Sequence, residues 1–425
     1  MSADSVVETT TTGSSFSDGF WRLLVAMTVT LFFAVYWISS EILENRDGTT
    51  HFGGDPWLYT VLADIDKVEN PESLARVLRF HPLTVIVALG WMKVLAPLSA
   101  WLSSEQILRG VFAAFGAMGV CGAISAFAAV VPRRQALIWG AIYGVSLGVW
   151  YFSSIEESKA LSAALTAIYI AIYVRLRSEW TLWRAIWLNL VLFAACLNEI
   201  VAVFLVAIPA LDAVAQRGID LRRDYWIGLH ALIGPATFVF MEIAARLLLP
   251  APTHAEGASH FGMLLYYISR NDYSLASLYM FAVRWLFINI AAPERTAVHW
   301  AKPEVGYGGD FLPALSSYLT SPLSIALAVL AAGLALALLV PRWRGRIAAG
   351  QGTLLLGLAA YALVRMIFFL IFNPWECLLF ASGVTLSHLL LIAVPVAGSR
   401  LPAKEGLLLA LGCLVLATNA RFIIG

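Results

Sequence analysis

Charge is scarce in this sequence: 13% of its 425 residues are charged, 60% are hydrophobic and the mean hydropathy is +0.79. Soluble domains carry charge on roughly a quarter of their residues, so water is not the main solvent of this chain. Clusters of lysine and arginine are absent as well and the net charge is +1, which excludes the electrostatic footprint of a nucleic-acid binder. Cysteine is sparse: Cys121, Cys196, Cys377 and Cys413 lie in or beside apolar runs without CxxC spacing. Neither a disulfide framework nor a zinc site is indicated, and the four read as small packing residues. There is no HExxH and no EF-hand loop, so a reaction without a metal or other cofactor is expected. No internal repeat and no inverted pair of broken helices stands out, which speaks against many secondary transporters. The Ser/Thr-rich start lacks a basic n-region, and no small-residue cleavage site follows the first apolar run. The first helix is therefore expected to be retained, with residues 1–20 as a disordered cytoplasmic tail.

What the sequence does have is apolar runs long enough to cross a hydrocarbon core of about 30 Å, recurring from end to end. They fall at about 21–41, 107–131, 136–153, 158–176, 225–249, 321–340, 351–372, 378–397 and 404–423. The stretch 185–216 is too long for one helix and is interrupted by Asn198 and Glu199, so it is read as two short ones. The expectation is an all-α, polytopic membrane helix bundle of about eleven transmembrane helices, with residues 21–425 as one domain. Short basic loops belong to the cytoplasmic side: Arg133 and Arg134; Arg175, Arg177 and Arg184; Arg217, Arg222 and Arg223; Arg342, Arg344 and Arg346; Arg400 with Lys404. These alternate correctly only if 81–98 and 275–292, which carry Lys93 and Arg284, lie along or dip into the outer face. The N-terminus is then inside. Two external loops with juxtamembrane helices result, 42–106 and 250–320. Tryptophan and tyrosine at helix ends, such as Trp150, Trp180, Trp226 and Trp343, read as an interfacial belt.

The first external loop carries His51-Phe52-Gly53-Gly54-Asp55-Pro56-Trp57-Leu58-Tyr59, and later Arg79-Phe80-His81-Pro82-Leu83. Asp55 followed by proline is a good helix N-cap; equally, a carboxylate held at the membrane surface suits a general base. A first helix, an aspartate just beyond it, a His-Pro-Leu opening an apolar stretch, then a helix entered by Arg109 and closed by paired arginines resembles the GT-C glycosyltransferase superfamily. Its protein O-mannosyltransferases and aminoarabinose transferases use polyprenyl-phosphate or dolichyl-phosphate sugars. The resemblance covers the first 215 residues in order of elements. It implies Asp55 as catalytic base, with His81 and Pro82 on the family's His-Pro motif. The second proline of that motif is Leu83 here, and no acidic pair stands at residue 55.

Further candidates lie downstream. In Ser153-Ser154-Ile155-Glu156-Glu157-Ser158-Lys159 a serine with a glutamate three residues on fits a capping box; by resemblance, Lys159 holds a phosphate and Glu156 or Glu157 touches sugar hydroxyls. Arg365 sits in an apolar run, where a charge costs about 2.5–3.5 kcal/mol on insertion scales. It suits a lipid phosphate through its fork of donors, or a structural ion pair with Glu242 or Glu199. His51, Trp57, Tyr59, His81 and Glu376 complete the substrate-binding candidates. The expected function is inverting transfer of a sugar from a polyprenyl-phosphate donor to a hydroxyl of a lipid, glycan or protein acceptor, on the outer face of a bacterial inner membrane. A transporter or flippase of an amphiphile is the alternative, and it requires polar residues to continue through the membrane.

Overall fold

The computed structural model describes residues 17–47, 59–60, 62–63, 71–218, 221–250, 259–269, 275–292, 321–343, 345, 347, 349–372 and 377–424. His51, Asp55, Trp57 and Glu376 lie outside them, as do residues 1–16. Among the described residues the chain is helical without strands, and its long apolar helices make it a multi-pass integral membrane protein. The first helix, α1 (Asp18–Asp47), starts three residues before residue 21, where the membrane domain was expected to begin. Ser17 Oγ accepts the Phe20 N–H at 3.3 Å, and Asp18 takes a 2.7 Å ion pair from Arg133, which anchors that end.

The amphipathic α2 (Pro71–Phe80) leads through His81 into α3 (Pro82–Leu95), which a 3-10 turn extends to Ala100. Then come α4 (Ser104–Ala128), α5 (Arg133–Val145), α6 (Leu147–Ser153), α7 (Lys159–Ser178) and α8 (Leu182–Asn198). A 3-10 stretch (Ile200–Val206) separates α8 from α9 (Ala207–Arg217), followed by α10 (Leu221–Leu248) and the short α11 (His260–Ile268) and α12 (Leu275–Phe287). The last are α13 (Pro322–Leu339), α14 (Ala349–Phe372), α15 (Cys377–Ala381), α16 (Thr385–Gly398) and α17 (Lys404–Ile423).

Nine described helices are long and apolar enough to cross a membrane. One is 82–100, where the arginine pattern has a segment on the outer face; α3 and its 3-10 extension give it the length to cross. With the bent pair α5–α6 taken as one span the number is ten, against the eleven expected; the two halves of 185–216, expected as spans, are shorter apolar helices. By contrast α12 spans only 13 residues, about 20 Å, and falls short of a crossing.

At the centre are α4 and α7, which touch almost backbone to backbone: a Cβ on Gly122 would stand 3.0 Å from Ile168 N and 3.1 Å from Ala167 Cβ. Without a hydrophobic force between helices in lipid, small residues that admit such contact drive association. A true capping box, Ser103 with Gln106, starts α4 at 3.0 and 3.1 Å.

Between α5 and α6 the chain bends by 60°. The freed N–H groups of Leu147 and Gly148 donate to Ile290 O and Asn289 O at 3.3 and 3.0 Å. Asn419 on α17 donates to Val145 O (2.7 Å) and Ile290 O (2.8 Å) and accepts from Ala292 N (2.7 Å). The turn after α12 thus sits inside the bundle, where non-helical backbone is tolerated because protein satisfies it. Several basic loops meet at one end: Arg177 bonds Gly350 O, Gln351 bonds Val130 O, and Arg400 N bonds Trp343 O.

Candidate functional site

At the opposite end from the arginine loops, α8 stops in mid-bundle. Glu199 is fully extended (φ −154°, ψ 110°), and Asn198 secures the break. Its amide donates to Ser158 O (3.1 Å) and Ser162 Oγ (2.7 Å), while its side-chain oxygen accepts from Thr84. Asn198 O faces His81 Nδ1 at 2.6 Å; a carbonyl only accepts, so Nδ1 carries the proton and Nε2 the lone pair. Burial, reinforced by Lys159, pushes His81 down to about 4, so it stays neutral at ordinary pH.

The extended Glu199 delivers its carboxylate to two cations. Lys159 Nζ lies 3.1 Å from Oε1, and Arg365 Nη2 lies 3.1 Å from each oxygen. Arg365 also donates to Phe380 O at 3.2 Å. Aromatic faces complete the cluster, with Lys159 over Phe380 and Arg365 over Phe369 at 5.1 and 5.3 Å. Of the two pairings open to Arg365, Glu199 is the one formed. Glu242 instead holds His260, at 2.8 Å from Nδ1 and 3.0 Å from the backbone N.

This cluster forms one wall of a cavity of about 430 Å³. Tyr59, Arg76, His81, Glu157, Lys159, Glu199 and His260 supply its polar lining; Phe80, Phe204, Phe238, Phe261, Phe368, Phe369, Phe372 and Phe380 supply most of the rest. Tyr59 is buried and packs against His81 and the edge of Phe112, with centroids 6.4 and 6.1 Å apart. Arg365 is 1% exposed and sits behind Glu199.

The two adjacent glutamates part company. Glu157 lines the cavity, and its Oε1 accepts from Ser158 N and Oγ, both at 2.8 Å. Glu156 turns toward Arg109 (3.2 Å), whose guanidinium also meets Glu41 at 3.1 Å, a node that ties α1, α4 and the 154–158 turn together. The expected capping box is not formed: Ser153 and Ser154 bond back to Val149 O and Trp150 O instead, because α6 still runs through Ser153.

No family model and no curated protein matches the sequence. Solved structures that resemble it in fold include two of the Archaeoglobus fulgidus oligosaccharyltransferase. One is tethered to an acceptor peptide containing an NVT sequon: TM-score 0.47, 10% identity, 96% of this chain and 55% of that one. The other is in complex with zinc and sulfate: TM-score 0.44, 11% identity, 92% of this chain and 53% of that one. This chain therefore spans about half the length of those it resembles. At that level of likeness the chemistry has to be argued from the cavity itself.

Its donors and acceptors are asymmetrically placed. Lys159, Arg365 and Arg76 stand against Glu199 and Glu157, which leaves one net positive charge, with Arg76 contributing from the face of α2. Phenylalanine covers much of the remainder. Such a cavity suits an amphiphile with an anionic head and an apolar tail. No group of three metal-ligating side chains occurs among the described residues. In the sequence Glu199 stands out only as a break in an apolar run and a partner for Arg365, and Arg76 does not stand out. A carboxylate interrupting an apolar run was the signal for the first; for the second there was only the amphipathic pattern of 71–80.

Down α7 runs a polar stripe: Lys159, Ser162, Thr166, Tyr169, Tyr173 and Arg177. Each recurs at three or four residues, hence on one face. Tyr169 OH meets His230 Nε2 at 2.8 Å, and Tyr173 OH donates to Asp212 at 2.6 Å.

Proposed function

We propose that this protein is a membrane-embedded glycosyltransferase of the GT-C type, moving a sugar from a polyprenyl-phosphate donor to an acceptor hydroxyl at the face opposite the arginine loops. The observation that carries this reading is the cavity, which joins a cationic wall around Lys159 to a phenylalanine-lined flank. The donor's phosphate meets Lys159 and Arg76, and the prenyl chain lies along Phe204, Phe368 and Phe372. Arg365 acts through Glu199: by sharing that carboxylate it leaves Lys159 charge to spare for the phosphate. Tyr59, His81 and Glu157 face the sugar. His51, Trp57 and Glu376 also bind substrate in this reading, and Glu156 serves indirectly by fixing the turn that presents Glu157.

The reaction needs one base. Asp55 takes the proton from the acceptor hydroxyl as its oxygen attacks the anomeric carbon. The lipid phosphate departs already charged and requires no acid, and a single displacement inverts the centre, unlike hydrolysis by two carboxylates. The acceptor is a lipid, glycan or protein hydroxyl, and no metal or cofactor takes part.

The test is transfer of radiolabelled sugar from polyprenyl-phosphate donors in membranes holding wild type or Asp55→Asn. Loss of transfer by at least ~100-fold at unchanged protein level and donor binding is expected. Undiminished transfer removes Asp55 as base.

The polar stripe along α7 favours a second reading, a transporter or flippase of the same amphiphile, because it continues from the cavity to the arginine-loop end. Proteoliposomes separate the two: translocation of labelled lipid without sugar transfer supports the transporter.

A further inference from the structure

Sugar transfer leaves one imidazole of the cavity without a role. His260 opens α11, and its ring is part of the cavity lining. Glu242 holds it twice: Oε1 accepts from Nδ1 at 2.8 Å and from the backbone N–H at 3.0 Å. Phe238 precedes Glu242 by one helical turn, on the same face of α10, and its ring centroid lies 5.7 Å from that of His260. Phe80 meets the imidazole edge-on at 4.9 Å. Capping α11 would take the backbone bond alone. The bond to Nδ1 and the two flanking rings fix the tautomer and the plane of the imidazole as well.

Because a carboxylate only accepts, the proton sits on Nδ1. Burial, with Arg79 nearby, holds His260 below the ordinary imidazole value against the pull of Glu242, so the neutral ring prevails at ordinary pH and Nε2 keeps its lone pair. That atom is buried and has no hydrogen-bond partner among the described residues. A buried acceptor left unpaired is costly, and native structures rarely keep one without a use.

We propose that His260 Nε2 accepts a hydrogen bond from a hydroxyl of the transferred sugar and selects the sugars that carry it, an inference that rests on the glycosyltransferase reading of the cavity. Of the parts of a polyprenyl-phosphate donor, the prenyl chain has no polar hydrogen and the ionised phosphodiester only accepts; the sugar alone brings O–H groups. His81 follows Phe80 in the chain, lies close enough for His260 to disfavour its charged form, and presents a lone pair of its own at Nε2. The two imidazoles thus make an accepting side, opposite in character to the cations around Lys159. A site built to pair with a substrate hydroxyl rejects the analogue that lacks it, because its own polar group is then stranded.

The test uses the purified full chain in detergent with farnesyl-phosphate glucose, mannose and galactose, and the monodeoxy forms of whichever binds best. Farnesyl methyl phosphate, a diester of the same charge without a sugar, is the reference. Loss of one particular ring hydroxyl should weaken binding to the wild type about ten-fold. In His260→Phe, which keeps a ring against Phe80 and Phe238 but has no acceptor, that ratio should fall to near one. His260→Gln, with an amide oxygen to accept, should retain most of it. General loosening of the site would weaken intact and deoxy donors alike and leave the ratio at its wild-type value, which overturns the proposal. So does a wild type indifferent to every deoxy position, or one that binds the methyl ester as well as any sugar donor. Sugar transfer followed in the same samples separates the two readings. Selective binding without transfer sinks the glycosyltransferase and leaves His260 as a sugar ligand, whereas transfer without hydroxyl selectivity does the reverse.

Discussion

Glu199 stands between Lys159 and Arg365 in a place with little water, so its charge is worth more than that of any surface carboxylate. Removing one partner of a buried ion pair costs about 3–5 kcal/mol, because the charge left behind has lost its compensation. Glu199→Gln leaves two cations facing each other, and a fall in melting temperature with poor folded yield is the expected result in a detergent thermal-shift assay. An unchanged melting temperature would sink the claim that the carboxylate holds the wall. Glu156 and Glu157 give a second contrast at this scale. Glu156→Gln should destabilise, since it takes from the buried Arg109 the carboxylate that ties it to the 154–158 turn and leaves Glu41 to balance it, whereas Glu157→Gln should raise KM for donor or acceptor at unchanged stability. Reversal of that pattern, seen in paired denaturation and kinetic measurements, would exchange their roles. The sequence did not separate these neighbours, because facing is set by periodicity only within a helix and they lie in a turn between two.

Among the elements, the contact of α4 with α7 ties the cavity to the basic end, since α7 holds Lys159 at one end and Arg177 at the other. Gly122 has no room for a larger side chain, and overpacking of a tight contact costs about 1–3 kcal/mol. Gly122→Leu should lower the melting temperature and weaken transfer. Gly110→Leu on the same helix, where no neighbour lies within 4 Å, should leave both alone. Equal effects of the two would show that the approach of the helices is unimportant. The break in 185–216 was legible because an amide and a carboxylate interrupt an apolar run. Its consequence was not, since Glu199 meets Lys159 and Arg365 only after helices 40 and 166 residues away in sequence have packed. The cavity's phenylalanines likewise look like ordinary lipid-facing residues until the helices are assembled.

For the whole molecule, the arginine pattern divides the bundle into a basic end and a cavity end, and contacts among the loops near Val130, Gly350 and Arg400 gather them accordingly. That arrangement was readable from charge alone. Whether 82–100 crosses was not, because its length and composition serve a span and an interfacial helix equally. The orientation itself is checked with single cysteines at Arg134 and Glu105, on either side of α4, in a background lacking the native ones. Under the positive-inside rule, a membrane-impermeant thiol reagent added to intact cells should label Glu105→Cys and spare Arg134→Cys. Labelling of Arg134→Cys alone would invert the protein. Asn419, finally, sets an order of events during synthesis. The bend at Ser146 and the turn at 288–292 are joined through a side chain that leaves the ribosome more than a hundred residues after that turn. Until α17 inserts, the carbonyls of Val145 and Ile290 lack that amide, so the nascent bundle carries a half-closed seam, held by the N–H groups of Leu147 and Gly148, until its last helix is made.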